Sequence, residues 1–148
     1  MVKRRATAIV ALLGLLASVG APTVMAAPAV TTITIDVNFS GQELFTSGGL
    51  ICASGVAVTD PFMGAGGGRK GGGAFTFHLI KTLTCDDGSG WFRIKVEAGT
   101  SPTSSGTVGG FSVVDGTGAY ASLHGAGSLQ GTFTPTGILD VYTGRLSN

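Results

Sequence analysis

The chain has few charged residues, few cysteines and few histidines. Asp, Glu, Lys and Arg make up 11% of its 148 residues, and it has two cysteines and two histidines. Its lysines and arginines do not form the basic stripe that is typical of nucleic-acid binding, nor a polybasic cluster for anionic lipids outside the N-terminal segment. Neither a nucleic acid nor a membrane surface is therefore an expected partner.

The usual signatures of metal, cofactor and hydrolase sites are also missing. No histidine cluster accompanies the two cysteines, so no metal site is expected, and Ser112, Ser122 and Ser128 lack a nucleophile elbow. Residues 66–71 match the letters G-x-G-x-x-G, but a β-rich segment follows where a dinucleotide fold needs a helix. A flexible loop is therefore expected over residues 59–73, with an anion-binding nest near Arg69 and Lys70 as the alternative.

The longest apolar run, residues 6–19, is too short to span a bilayer as an ordinary helix. It follows the basic residues Lys3, Arg4 and Arg5, and it precedes residues 24–26, which are acceptable to a signal peptidase just before its cleavage site. This pattern predicts a secretory signal peptide over residues 1–26. An uncleaved membrane anchor is the alternative. Cleavage after Ala26 leaves one domain, residues 27–148, with six basic and eight acidic residues and a formal charge of −2.

Sustained helical periodicity is absent after residue 26, and alternation of apolar and polar residues replaces it. Residues 31–39 alternate strictly, with Ile33, Ile35, Val37 and Phe39 on one face. Further strands are predicted at 50–58, 74–85, 91–98 and 138–146. Loops are predicted at 40–49, with a short strand at 44–45, and at 99–110, and a hairpin turn at 86–90. About seven strands are clear, with room for an eighth.

Glycine is abundant, with 24 residues after position 26 and no collagen-like period. The most informative stretch is 111–133, which predicts a strand, a tight turn at Asp115–Gly118, one helical or irregular turn, and a strand bearing Gly125, Gly127 and Gly131. These three share one strand face, where the lack of side chains allows a sharp bend or a close neighbour. An all-β fold, a single antiparallel barrel of about eight strands with a lipocalin-like shape, is therefore expected rather than a sandwich.

Residues 113–120, VVDGTGAY, followed by Gly125-x-Gly127, resemble the motif of the allene oxide cyclase and dirigent proteins. The whole chain after residue 26 is similar to small secreted bacterial proteins of that barrel type. The resemblance implies an eight-stranded antiparallel barrel with an apolar cavity, with Asp115, Gly116, Gly118, Tyr120, Gly125 and Gly127 as the structural turn. Asp115 stands where glycine is common, and no catalytic residue of either family matches a position here.

The two cysteines, Cys52 and Cys85, predict a disulfide, because a single pair in an exported chain is normally oxidised. Candidates for chemistry are His78, His124 and the pair Asp140 and Tyr142, with Asp36 as a weaker one. A histidine alone on a strand is more often structural. Asp140 and Tyr142 share a face that is expected to point to solvent; if it pointed inward, a buried carboxyl would indicate a site.

Three functions remain open from the sequence. The first is a secreted barrel that binds a small apolar molecule in its interior. The second is an enzyme, a cyclase, isomerase or dirigent-like guide of a reactive molecule, which can act mainly by shaping its substrate. The third is a structural or adhesive envelope protein. A pocket above ~300 Å³ with convergent polar groups favours the first two, and an interior filled by Phe75, Phe77, Phe92 and Ile94 favours the third.

Overall fold

A computed structural model describes residues 27–60, 65–66 and 75–148 of the chain. All regular structure in these ranges is β-strand except for one turn of 3-10 helix, η1 (Gly118–Tyr120). The strands in chain order are β1 Ala29–Asn38, β2 Glu43–Gly48, β3 Ser54–Thr59, β4 Ala65–Gly66, β5 Phe75–Cys85, β6 Trp91–Thr100, β7 Gly106–Gly116, β8 His124–Thr134 and β9 Gly137–Ser147.

Eight of these strands close into an antiparallel barrel. Sequence neighbours pair in turn, β1 pairs with β9, and β3 pairs with β5, so that the ring has no free edge. The two-residue strand β4 also pairs with β5, at its N-terminal end. The predicted all-β fold with a single eight-stranded barrel is confirmed.

Alternation along each strand decides which side chains fill the barrel. Ile33 and Ile35 of β1 and Phe92, Ile94 and Val96 of β6 point inward and are buried, as the sequence pattern predicts. Phe39 does not continue the buried face of β1, because it lies beyond the last residue of that strand and is 70% exposed.

Three strand boundaries differ from the sequence prediction. A full strand, β2, occupies most of the predicted loop 40–49, and β7 begins at Gly106, inside the predicted loop 99–110. The strand expected to contain Cys52 starts only at Ser54. Glycine, serine and threonine made the first two segments appear loop-like. Pairing to neighbours on both sides stabilises them as strands despite this composition.

The bare glycine face of β8 lies against a close neighbour inside the barrel. Gly127 pairs with Phe111 of β7 and with Gly144 of β9. The Phe111 ring covers this glycine pair: a Cβ at Gly127 would lie 2.7 Å from Phe111 Cε1, and one at Gly144 would lie 2.8 Å from Cζ. The ring also packs edge-on against Tyr142, with centroids 5.6 Å apart. Glycine is thus required here because the backbone of the neighbouring strand and the Phe111 ring together occupy the space of its side chain.

One end of the barrel is filled by η1 and tied by the disulfide. Cys52 and Cys85 are bonded, as predicted, with their Cα atoms 6.0 Å apart. The Tyr120 ring packs edge-on against Phe92, and its hydroxyl accepts a hydrogen bond of 3.0 Å from the Cys52 backbone N–H. Gly118 permits the turn with φ +59°, whereas Gly116 has no positive φ. This end therefore has a packed core.

Candidate functional site

The other end of the barrel contains an interior pocket of about 220 Å³. This is the end where β1, β3, β6 and β8 finish and where β2, β5, β7 and β9 begin. The apolar part of its wall consists of Val37, Phe77, Leu79, Val96, Leu129 and Ile138. Polar side chains reach it from five strands, β2, β3, β5, β7 and β9, and these are Glu43, Thr59, Lys81, Thr107, Asp140 and Tyr142.

Lys81 and Glu43 form an ion pair inside the barrel. Lys81 Nζ lies 2.6 Å from Glu43 Oε2, and the two side chains are only 4% and 13% exposed. Thr59 completes the network, because its hydroxyl donates to Glu43 Oε1 at 2.7 Å and accepts from Lys81 Nζ at 2.7 Å. The charges are therefore compensated and hydrogen-bonded, as buried charges must be.

Asp140 and Tyr142 point into the barrel, so the expectation that this face of β9 meets solvent is wrong. Asp140 is 8% exposed and Tyr142 fully buried, while Leu139, expected inside, is exposed. Asp140 Oδ2 accepts a hydrogen bond of 3.3 Å from the Tyr142 hydroxyl. Burial raises the pKa of Asp140, against the opposing effects of the Lys81 charge and the Tyr142 hydroxyl, and burial beside Asp140 also raises the pKa of Tyr142.

Gly131 gives room for the side chains of Thr107 and Asp140 to meet. A Cβ at Gly131 would overlap both Thr107 Oγ1 and Asp140 Oδ1, so these two oxygens already occupy the space above the glycine. The Thr107 hydroxyl is buried, and its contact with the Asp140 carboxyl helps to lower the pKa of that carboxyl. Glycine at position 131 therefore lets these two polar side chains lie together inside the barrel.

The other sequence-predicted candidates lie away from this pocket. His78 is on the outer face of β5 and half-exposed, with its Nδ1 3.6 Å from Glu97 Oε1. His124 is exposed near the filled end, where its ring nitrogens contact the Ser122 carbonyl and the Ser147 hydroxyl. Asp36 is exposed on β1. The pocket therefore brings together Asp140 and Tyr142 and neither histidine.

The sequence pattern did not indicate that Lys81, Glu43, Thr59 and Thr107 are pocket residues. Lys81 carried a usable signal, because it stands between Leu79 and Leu83 on the apolar face of a predicted strand. Glu43 and Thr107 fell in segments predicted as loops, so no face could be assigned to them. Part of the loop predicted over residues 59–73 is strand, because Thr59 ends β3 and Ala65–Gly66 form β4. Arg69 and Lys70, with the anion-nest alternative, lie outside the described residues.

Asp115, the remaining polar residue of the predicted turn, has a structural partner. The Arg93 guanidinium donates to both of its carboxylate oxygens, through Nε at 2.6 Å and also through an NH2 group, and this lowers the pKa of Asp115. Gly125 follows with φ +140° at the start of β8. These residues shape the turn and do not reach the pocket.

Larger but more open grooves lie outside the pocket. One of about 430 Å³ runs beside the loop 101–105, and one of about 370 Å³ lies over the outer faces of β6 and β7. Neither contains convergent charged side chains that are buried. Within the described ranges no three His, Cys, Asp or Glu side chains are grouped as metal ligands, and no helix is long and apolar enough to cross a membrane.

Comparison of the chain with models of protein families, with curated proteins and with solved structures found no match.

Proposed function

We propose that this chain binds a small molecule in the interior pocket at the end of the barrel opposite the disulfide. The observation that carries the proposal is the convergence of polar side chains from five strands, Asp140 among them, on an interior pocket with an apolar wall. These polar side chains would orient a bound molecule. The apolar wall would bury the rest of the ligand, as is usual in small-molecule sites.

The size of the pocket limits the ligand. At about 220 Å³ it is smaller than the ~300 Å³ at which sites for drug-sized molecules begin. Phe92 and Ile94 fill the barrel below it, while Phe77 forms part of its wall and Phe75 is half-exposed. The ligand is therefore small, with an apolar body and one polar end.

Native mass spectrometry of the full chain, purified from its own host without denaturation, tests the proposal. We expect a bound mass that a Leu129→Trp variant loses, because the larger side chain fills the pocket, and that a Leu139→Trp variant keeps, because Leu139 is exposed on β9. A protein that carries no bound mass and whose pocket amides respond to no added small molecule would contradict it. That result would favour the structural or adhesive alternative.

A second candidate function is an enzyme of the cyclase, isomerase or dirigent-like type. The specific observation that favours it is Asp140, a carboxyl inside the pocket whose pKa burial raises toward the range useful for proton transfer. In this version Asp140 would exchange a proton with the bound molecule. Conversion of the co-purified ligand by the native protein, and its loss in Asp140→Asn, would support the enzyme over a binding protein.

We further infer that the chain is exported and belongs to the allene oxide cyclase and dirigent barrel type. The disulfide supports export, because such bonds persist in oxidising compartments. The closed eight-stranded barrel supports the family, as does the motif that forms the end of β7, η1 and the start of β8. Residues 1–26 lie outside the described ranges, so N-terminal sequencing of the secreted protein is the test: Ala27 supports export, and Met1 contradicts it.

A further inference from the structure

Ser147 and His124 form a hydrogen-bonded pair at the filled end of the barrel, away from the interior pocket. They stand opposite each other in the pairing of β8 with β9. The Ser147 hydroxyl oxygen lies 2.9 Å from His124 Nε2. His124 is exposed and Ser147 is 8% exposed, so the pair borders solvent. A hydroxyl within hydrogen-bonding distance of an imidazole is the arrangement that activates a serine as a nucleophile.

The other nitrogen of the His124 imidazole determines which ring atom holds the proton. His124 Nδ1 lies 2.9 Å from the Ser122 backbone carbonyl oxygen, which can only accept a hydrogen bond. Nδ1 therefore carries the proton in the neutral imidazole, and the lone pair of Nε2 faces the Ser147 hydroxyl. In this tautomer Ser147 donates to Nε2, so His124 is placed to act as a general base toward the Ser147 oxygen.

The Ser122 carbonyl is held in place by hydrogen bonds between its loop and the residue that follows β9. Ser122 Oγ donates to Asn148 Oδ1 at 2.9 Å, and the Asn148 side-chain amide donates to the Ala119 carbonyl. These bonds fix the loop relative to the end of β9, where Ser147 lies. Because the carbonyl is fixed, the plane of the His124 imidazole beside Ser147 is fixed as well, which is the role of the third group in an activated nucleophile.

We propose that Ser147 is a nucleophile activated by His124, and that the pair transfers the acyl group of a small activated ester to water. In the first step the bond between Ser147 Oγ and the acyl carbon forms, and the bond from that carbon to the leaving oxygen breaks. The hydroxyl proton passes to His124 Nε2 and then to the leaving oxygen. In the second step water attacks the acyl carbon and gives a proton to Nε2, which returns it to Ser147 as the carboxylic acid departs.

The partner of His124 Nδ1 limits the class of substrate. It is a neutral carbonyl, and a carbonyl stabilises the imidazolium formed during the reaction less than the carboxylate of a full triad does. An ester whose leaving group is a weak base needs less of this stabilisation, so aryl esters are the expected substrates and amides are expected to resist. Because the pair lies at the opposite end from the interior pocket, its activity is independent of the proposed function.

Diisopropyl fluorophosphate tests the nucleophile, because an activated serine displaces the fluoride and keeps the phosphoryl group. The full chain with its disulfide formed is treated in native buffer and, separately, in urea, and peptide mass spectrometry locates the label. Ser128 is the internal reference, since it is exposed on β8 and its hydroxyl contacts the Thr143 carbonyl rather than an imidazole. We expect the label on Ser147 in the native protein, and no preference for Ser147 over Ser128 in urea.

His124→Gln and His78→Gln form the matched pair of variants, since His78 is a half-exposed histidine on β5 that lies beside Glu97. We expect His124→Gln to lower the labelling rate of Ser147 by about 100-fold or more, the size of a general-base contribution, and His78→Gln to leave it unchanged. Ser147→Ala should lose the label altogether. If a variant does not fold, the position of the label in the unmodified chain, native against urea-treated, decides the matter.

Release of p-nitrophenol from p-nitrophenyl acetate measures the acyl transfer itself. We expect prior treatment with diisopropyl fluorophosphate to abolish this release, and Ser147→Ala to lack it. Absence of label, label spread evenly over exposed serines, or labelling of Ser147 that His124→Gln leaves unchanged would overturn the activated nucleophile. Release of p-nitrophenol that survives the treatment would overturn the acyl transfer. None of these results bears on binding in the interior pocket.

Discussion

Lys81 Nζ lies 2.6 Å from Glu43 Oε2 inside the barrel, in a pair that joins β5 to β2 across β3. Thr59 of β3 bonds to both partners. A buried ion pair contributes little net stability by itself, but removal of one partner leaves the other charge uncompensated in an apolar surrounding. This relationship makes the polar end of the barrel sensitive to single substitutions and tolerant of paired ones.

We expect Lys81→Met to lower the free energy of unfolding by about 3–5 kcal/mol, because Glu43 would be left buried and unpaired. The double variant with Glu43→Gln should recover part of this loss. Arg93→Met is the comparison, since the Arg93–Asp115 pair is about 40% exposed and its loss should lower the free energy of unfolding much less. Urea unfolding measures the free energies of unfolding of the unmodified chain and the three variants. Equal losses of stability for Lys81→Met and Arg93→Met would contradict the expected difference.

Asp140 should make the stability of the fold depend on pH. Its pKa is raised in the native state, so the native state binds more protons than the unfolded chain between the unfolded value near ~3.9 and the raised value. Asp140 therefore destabilises the fold as pH rises through that window. We expect the free energy of unfolding of Asp140→Asn, relative to the unmodified chain, to increase with pH there. A difference that stays flat or falls with pH would contradict a raised pKa for Asp140 in the native state.

The inward glycines should differ in their tolerance of side chains. A Cβ at Gly127 meets the backbone of β9, with Gly144 Cα at 2.5 Å, so we expect Gly127→Val to cost about 1–3 kcal/mol or more. A Cβ at Gly131 meets the side-chain ends of Thr107, Asp140 and Ile138 and no backbone atom, so Gly131→Ala should cost less than Gly127→Val.

Gly48→Ala is the matched control for these glycines, because its Cβ would enter open space. It should be nearly silent in urea unfolding with the disulfide intact. If Gly127→Val were as harmless as Gly48→Ala, the close packing of Phe111 over the glycine pair would be wrong.

The disulfide should stabilise the fold by limiting the unfolded chain. Cys52 and Cys85 enclose a sequence separation of 33 residues, which corresponds to about 3–4 kcal/mol in the chain-entropy model. We expect reduction to lower the free energy of unfolding by about that amount, and the oxidised protein to weigh two hydrogens less. Alkylation of both thiols without reductant would contradict the bond.

The Tyr120 hydroxyl should contribute separately at the same end. Tyr120→Phe leaves the buried Cys52 N–H without its acceptor and should cost about 1–3 kcal/mol. Tyr142→Phe is the comparison, because that hydroxyl gives only the 3.3 Å bond to Asp140 and accepts from no described residue. Thermal unfolding distinguishes the two variants. A larger loss of stability for Tyr142→Phe would contradict the structural role of the Tyr120 hydroxyl at this end.

The strict alternation of residues 31–38 and 91–98 determined two strands and their buried faces from the sequence alone, because a period of two sorts side chains to opposite sides of a strand. The cysteine pair determined the disulfide, and Asp115–Gly118 with Tyr120 determined the turn. For these features, residues close in sequence carry the physical cause.

Tertiary structure alone decided the site. Both residues 139 and 140 could have pointed inward by local pattern, and only pairing of β9 with β1 and β8 placed Asp140 inside and Leu139 outside. Lys81 is acceptable in the interior only because Glu43 arrives from β2, whose composition resembles a loop. Thr107 and Asp140 meet over Gly131 because β7, β8 and β9 are adjacent around the closed ring. Such contacts depend on barrel closure, a long-range property that no local window of sequence contains.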